Sequence, residues 1–157
     1  FPDRKVWIDP ETDNYVIEYL IYINDQPAGL PIDHVSTLEN SFSVWETIEY
    51  DTSDGKKASV KFYTTGVKGE ANVWVTWVVR NIGEGVLGHA NLGKGVVEVA
   101  IGSYGCDGSF QLFDNNTVEY IMTHELGHSL GFGHSNDPDK TMYPSIPYSD
   151  YAYCLLN

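Results

Sequence analysis

Residues 124 to 134 read HELGHSLGFGH. His124 and His128 stand four apart, so on a helix their imidazoles project from one face, a turn from each other. A catalytic zinc ion takes three protein ligands and leaves a fourth position for water. A helix continuing past His128 would not readily deliver His134 to the same metal. Gly131 is a place where a helix can stop, and the chain can then turn back beneath the metal and bring a His134 nitrogen to about 2.0–2.1 Å from it. Glu125 directly follows the first histidine, which sets its carboxylate beside a metal-bound water rather than on the metal. It is placed as a general base. Zinc lowers the pKa of its water from about 15.7 toward 7 and polarises a carbonyl, and the carboxylate takes the proton and returns it to a departing amine. HExxH alone recurs by chance, whereas the extended spacing fixes further positions with a geometric reason for each. Nothing in the sequence offers a fourth protein ligand, which argues against a purely structural zinc site.

Those residues need a helix under them and a framework around it. Val118, Ile121, Met122, Leu126 and Leu130 recur with helical period, and Asn116 three residues before Glu119 resembles a capping box at the start. Gly131 and Gly133 close the run. Upstream, Tyr15 to Ile23 reads YVIEYLIYI, a β-branched and aromatic strand signal. Val35, Leu38, Phe42, Trp45 and Ile48 then recur at spacings of three and four, an amphipathic helix. His34 on that helix reads as a surface histidine. Asp51 to Lys57 is a polar turn, followed by strands at Ala58 to Thr64 and Asn72 to Val79, a short segment at Val86 to Ala90, and a strand at Val96 to Ile101. Gly102 to Gly108 reads as loop. Pro138, Pro144 and Pro147 exclude a long uninterrupted helix in the tail. This order of elements in one small chain suggests α+β, with helices on one face of a mixed sheet.

The chain has 157 residues, enough for one domain with its own core. Nine Lys and Arg stand against 22 Asp and Glu, a formal net charge of -13, and such a surface repels phosphate backbones and anionic lipid. Nucleic acid is therefore excluded as a partner, and without an apolar stretch of about eighteen residues nothing inserts into a membrane. The sequence begins at Phe1 without Met, as expected of a processed chain. Cys106 and Cys154 lie far apart and form no C-x-x-C pair; two buried thiols and a disulfide both remain open, with the even count favouring a bond and an oxidising compartment.

The extended motif resembles that of the metzincins, zinc peptidases in which it is followed by a methionine turn. Met142 in KTMYPSI looks like that methionine, a hydrophobic floor beneath the ligands. The finer resemblance is to the matrixins, the matrix metalloproteinase family, through Ser135 after the third histidine and through Met142-Tyr143-Pro144. It implies a zincin-like α+β fold: a twisted mixed five-stranded sheet with two main helices, a Met-turn and a small C-terminal subdomain. The whole chain, 1–157, would be one catalytic domain with an upper part of about 1–131 and a lower part of 132–157. The implied activity is zinc-dependent endopeptidase cleavage of extended peptide or protein substrates by a secreted or extracellular monomer. Val86, Leu87, Gly88, His89 and Ala90 look like the family's substrate-holding edge strand, and Tyr143, Pro144, Ser145 and Ile146 would wall the specificity pocket.

Departures from the family pattern are informative. Matrixins usually hold a second, structural zinc through a His-x-Asp pair and two further histidines, and only His89 matches, so one zinc ion is expected. Pro144-Ser145-Ile146 stands where many matrixins have Pro-x-Tyr. Tyr143 directly follows the methionine and reads as packing rather than as a transition-state donor. Calcium, a common matrixin companion, could be held by Asp107, Asp137 or Asp139, which loop acids exposed to solvent explain equally well.

Overall fold

The computed structural model describes residues 1–26, 33–78, 88–90, 95–104, 110–137 and 139–142. Its central sheet is built by period-two patterning held in register. In β2 (Tyr15–Ile23) the side chains of Ile17, Tyr19, Ile21 and Ile23 alternate onto one face. Parallel pairing sets Ile17 opposite Val60 and Tyr19 opposite Phe62 of β4 (Lys57–Thr64). It also sets Ile21 opposite Val73 and Ile23 opposite Val75 of β5 (Val73–Val78). The same face continues into β7 (Val96–Ala100), where Val97 and Val99 lie opposite Val75 and Trp77. A one-residue slip anywhere would turn these side chains out of the core. At the end of the sheet β6 (Gly88–Ala90) runs antiparallel to β7, with Gly88 opposite Val99 and Ala90 opposite Val97.

Two helices cover that face. Helix α1 (His34–Glu46) starts at Asp33, whose carboxylate accepts the backbone N–H of Val35 and Ser36 at 3.1 and 3.2 Å. Leu38, Phe42 and Trp45 are buried, and Phe42 stacks on Phe62 of β4 with ring centroids 4.8 Å apart. Helix α2 (Asn115–Leu130) packs against α1, β7 and β6. Val118, Ile121, Met122 and Leu126 join both helices and the sheet in one buried cluster. The molecule is α+β with both helices on one side of a mixed sheet, as expected for the metzincin fold.

Three details differ from the sequence expectation. Among the described residues the sheet has seven strands, because short ones flank the five expected: β1 (Lys5–Ile8) pairs antiparallel with the first half of β2, and the two-residue β3 (Tyr50–Asp51) pairs with β4. All four β1 residues are exposed, so no burial alternation announces that strand. The expected loop from Gly102 contains β8 (Gly102–Tyr104), which pairs with β9 (Phe110–Leu112) in a separate two-stranded sheet. Helix α2 is capped by Asp114 rather than Asn116. Asp114 has extended backbone and accepts the Thr117 N–H at 2.8 Å, so Asn116 and Glu119 both lie inside the helix.

Candidate metal centre and active site

Helix α2 delivers His124 and His128 from one face, and the chain beyond its end delivers His134. Gly131 has φ 109°, a left-handed conformation that suits glycine, and the chain reverses there. The Gly131 N–H donates to His128 O and the Phe132 N–H to Gly127 O, both at 2.9 Å, the paired bonds of a Schellman stop. One ligand nitrogen from each of His124, His128 and His134 can be chosen so that all lie within 4.8 Å of one another, and among the described residues this is the one such group of three. Asp137 and Asp139 form no such cluster; the Asp137 carboxylate instead accepts the Asp139 N–H at 3.0 Å, closing a turn.

The backbone orients two of these rings. His124 Nδ1 lies 2.8 Å from Thr141 O and His128 Nδ1 lies 2.7 Å from Phe132 O. A carbonyl only accepts, so each Nδ1 carries a proton and each Nε2 is left with its lone pair for a metal. Burial, reinforced by the neighbouring imidazoles, holds His124 below the usual histidine range and therefore neutral, the form a ligand must take. Three imidazoles whose ligand atoms lie this close to one another fit a zinc ion.

Glu125 is 6% exposed and its Oε2 has no hydrogen-bond partner among the described residues. Burial pushes its carboxyl up to about 7. An unsatisfied buried carboxyl is costly, and where one persists it commonly marks a group reserved for a substrate, a water or a proton. Beside it runs β6. A Cβ added at Gly88 would lie 2.6 Å from Glu125 Cγ and 2.9 Å from its Cδ, so only glycine lets this strand approach the carboxylate as it does. The sequence signalled Gly88 as part of a substrate-holding strand; its contact with Glu125 was not legible.

Beneath the helix lies Met142, buried in the core cluster. A Cβ at Gly127 would come within 2.4 Å of Met142 Sδ and 2.7 Å of Trp45 Cζ2, so the small residue inside HELGH lets both reach the helix between His124 and His128. The loop from Ser135 to Met142 is closed by the Ser135 N–H donating to Met142 O at 2.8 Å. An apolar groove of about 420 Å³ opens beside His134, walled by Val44, Trp45, Ile48, Phe132 and Met142.

Of the residues singled out from sequence, the structure brings together His124, His128, His134, Glu125, Met142 and, through its backbone, Gly88. Ala90 is half-buried in β6, and the backbone of His89 pairs opposite Glu98. Val86, Leu87, Tyr143, Pro144, Ser145, Ile146, Cys106, Cys154 and Asp107 lie outside the described residues. The carbonyls of Thr141 and Phe132 were missed, because a backbone acceptor leaves no mark on residue type.

Imidazoles brought together from a helix and from the chain that reverses after it, with a carboxylate on the same helix, form a group that could hold a metal ion. Comparison with known proteins narrows this. The matrixin family model matches residues 11–156, and the chain belongs to that family, whose members are zinc-dependent metalloendopeptidases. It is similar to matrilysin of Homo sapiens, 61% identical over 31 residues, which are 20% of this chain and 12% of that protein. Longer alignments join it to neutrophil collagenase of Homo sapiens, 27% identical over 129 residues (72% of this chain, 24% of that protein), and to metalloendoproteinase 1 of Glycine max, 29% identical over 128 residues (71% and 38%). The chain thus spans between 12% and 38% of the length of these relatives.

Proposed function

We propose that this chain is a zinc-dependent endopeptidase in which His124, His128 and His134 hold one catalytic zinc ion and Glu125 is the general base. The observation that carries the reading is the grouping of the three imidazoles, together with a buried Glu125 that follows His124 in the same helix and whose Oε2 has no hydrogen-bond partner among the described residues. A bound zinc ion would polarise the scissile carbonyl and acidify the attacking water. The protein's own part is positional and protolytic. His124 and His128, fixed by Thr141 O and Phe132 O, present neutral nitrogens. Glu125 accepts a proton as water adds to the carbonyl carbon, then delivers it to the amide nitrogen as the C–N bond breaks, so that acid and amine products leave and the carboxylate is restored. Met142 supports α2 from below.

The substrate would be an extended peptide or protein segment. In the central sheet's strand order β6 stands at the end, and a terminal strand offers backbone groups to one more strand. We assign that role to Val86, Leu87, Gly88, His89 and Ala90, and the wall of a pocket beside the metal to Tyr143, Pro144, Ser145 and Ile146. The reading takes the chain as a single catalytic domain and as a monomer. It extends to a secreted or extracellular setting and a bond between Cys106 and Cys154. Among the described residues no helix is long and apolar enough to cross a membrane.

The test is Glu125→Gln, which removes the base and keeps the shape. Zinc content should stay at the wild-type level while turnover of an unfolded protein substrate falls by about 10²–10⁴-fold. Undiminished turnover would remove Glu125 from the mechanism, and a wild-type chain without zinc would remove the proposal.

A further inference from the structure

One buried side chain outside the motif touches the helix that carries His124 and His128 and the chain that holds His128, and it shares the space over Gly127 with Met142. The Trp45 Nε1–H donates to Thr123 O at 2.9 Å, on the residue immediately before His124. Its ring stacks on Phe132, centroids 5.4 Å apart and planes 15° from parallel, and the carbonyl of Phe132 is the one that holds His128. Its Cζ2, with Met142 Sδ, fills the space over Gly127. Met142 in turn anchors the loop that carries Thr141, the partner of His124, and accepts from Ser135 beside His134. Trp45 is 5% exposed, and its own carbonyl accepts the Ile48 N–H and the Tyr50 hydroxyl, so its backbone is fixed at the end of α1.

We propose that Trp45 is a positioning residue for the metal centre: the indole wedges between α2, the chain after Gly131 and Met142, and fixes the angles at which the three imidazoles converge. The argument is geometric. Each Nδ1 hydrogen bond to a carbonyl has one direction that leaves Nε2 aimed at a shared point, and those carbonyls lie on irregular backbone that no helix or sheet ladder holds. A rigid bicyclic ring with a polar handle can be in contact with Phe132, Thr123 and Met142 together. A smaller apolar residue would fill part of the volume and release at least one of them. Groups that orient metal ligands without touching the metal tune affinity and geometry.

The inference rests on the triad binding zinc, so the wild type is the first arm of the experiment: one zinc per chain by metal analysis, with affinity from competition against a chromophoric chelator. Failure there ends the zinc reading and this one with it. The second arm compares Trp45→Phe, which keeps a stacking ring and loses the N–H, and Trp45→Leu, which loses both. Phe42→Leu serves as control, a core aromatic on the same helix that stacks on Phe62, away from the triad. The expected result is zinc affinity weakened about tenfold in Trp45→Phe and further in Trp45→Leu. The visible absorption of the cobalt-substituted protein should change, while Phe42→Leu keeps wild-type affinity and spectrum whatever its melting temperature. If Trp45→Leu does not fold, Trp45→Phe decides. Wild-type zinc affinity and cobalt spectrum in the folded Trp45 variants would overturn the proposal, and so would an equal loss in Phe42→Leu, which would reduce the effect to general loosening.

Discussion

At the scale of residues, Glu125 and Gly88 form a unit that neither would form alone. The carboxyl is buried with one oxygen unpartnered among the described residues, and the strand beside it approaches as closely as it does because position 88 has no side chain. A Cβ 2.6 Å from Glu125 Cγ is well inside ordinary contact, so any side chain there must push the carboxylate or β6 aside. Valine suits a strand, so the strain of Gly88→Val falls on the contact with Glu125 rather than on the strand's own backbone. A displacement on the order of 1 Å in a reacting group can lower the rate about 10²-fold. The variant should therefore keep its zinc, lose kcat by about that factor, and lose no more stability than the about 1–3 kcal/mol that overpacking costs. Wild-type kcat would show that Glu125 tolerates the intrusion and that its position is not set by Gly88.

At the scale of elements, the decisive feature is how α2 ends. Gly131 in the left-handed region places Phe132 O over His128 and starts the chain toward His134. An L-residue there costs about 1–2 kcal/mol, so Gly131→Ala should destabilise the protein by about that amount in urea unfolding and weaken zinc binding as well. Weakened stability with unchanged zinc affinity would separate the helix stop from the metal site. This ending was legible in the sequence because a helical period meets two glycines at a ligand spacing that requires a reversal. The long strands were legible too: Tyr15–Ile23 and Val73–Val78 carry β-branched and aromatic residues whose alternation the buried face then used. Short elements left no such trace. Lys5–Ile8 buries nothing, Tyr50–Asp51 is two residues long, and Gly102–Tyr104 begins at a glycine that reads as loop. The cap of α2 was misread because Asp114, Asn115 and Asn116 are all good caps by type, and backbone conformation chose among them. At the site, the grouping of His124, His128 and His134 was legible from spacing, whereas the carbonyls that hold two of these rings and the indole packed on Phe132 depend on tertiary contact.

At the scale of the whole molecule, the core and the metal centre are built from different parts, and this fixes what metal removal should do. The buried cluster runs from Tyr19 and Ile21 through Val75 and Val97 to Ile121 and Leu126. None of these residues belongs to the triad, so the sheet and both helices should persist without zinc. The ligands, in contrast, join α2 to the chain beyond Gly131, and a bound ion would cross-link the two. A ligand that binds only the folded state adds about 2.7 kcal/mol at a concentration one hundred times its Kd. In a domain of this size each kcal/mol moves the melting temperature by about 2–4 °C. Chelation should thus lower the melting temperature by about 5–10 °C with little change in the far-ultraviolet circular dichroism, and restoring one equivalent of zinc should recover it. His128→Ala should melt at the same temperature with and without chelator. A second equivalent needed for full recovery would contradict the expectation of one zinc per chain. Collapse of the dichroism on chelation would mean that the hydrophobic cluster does not hold the fold without the metal.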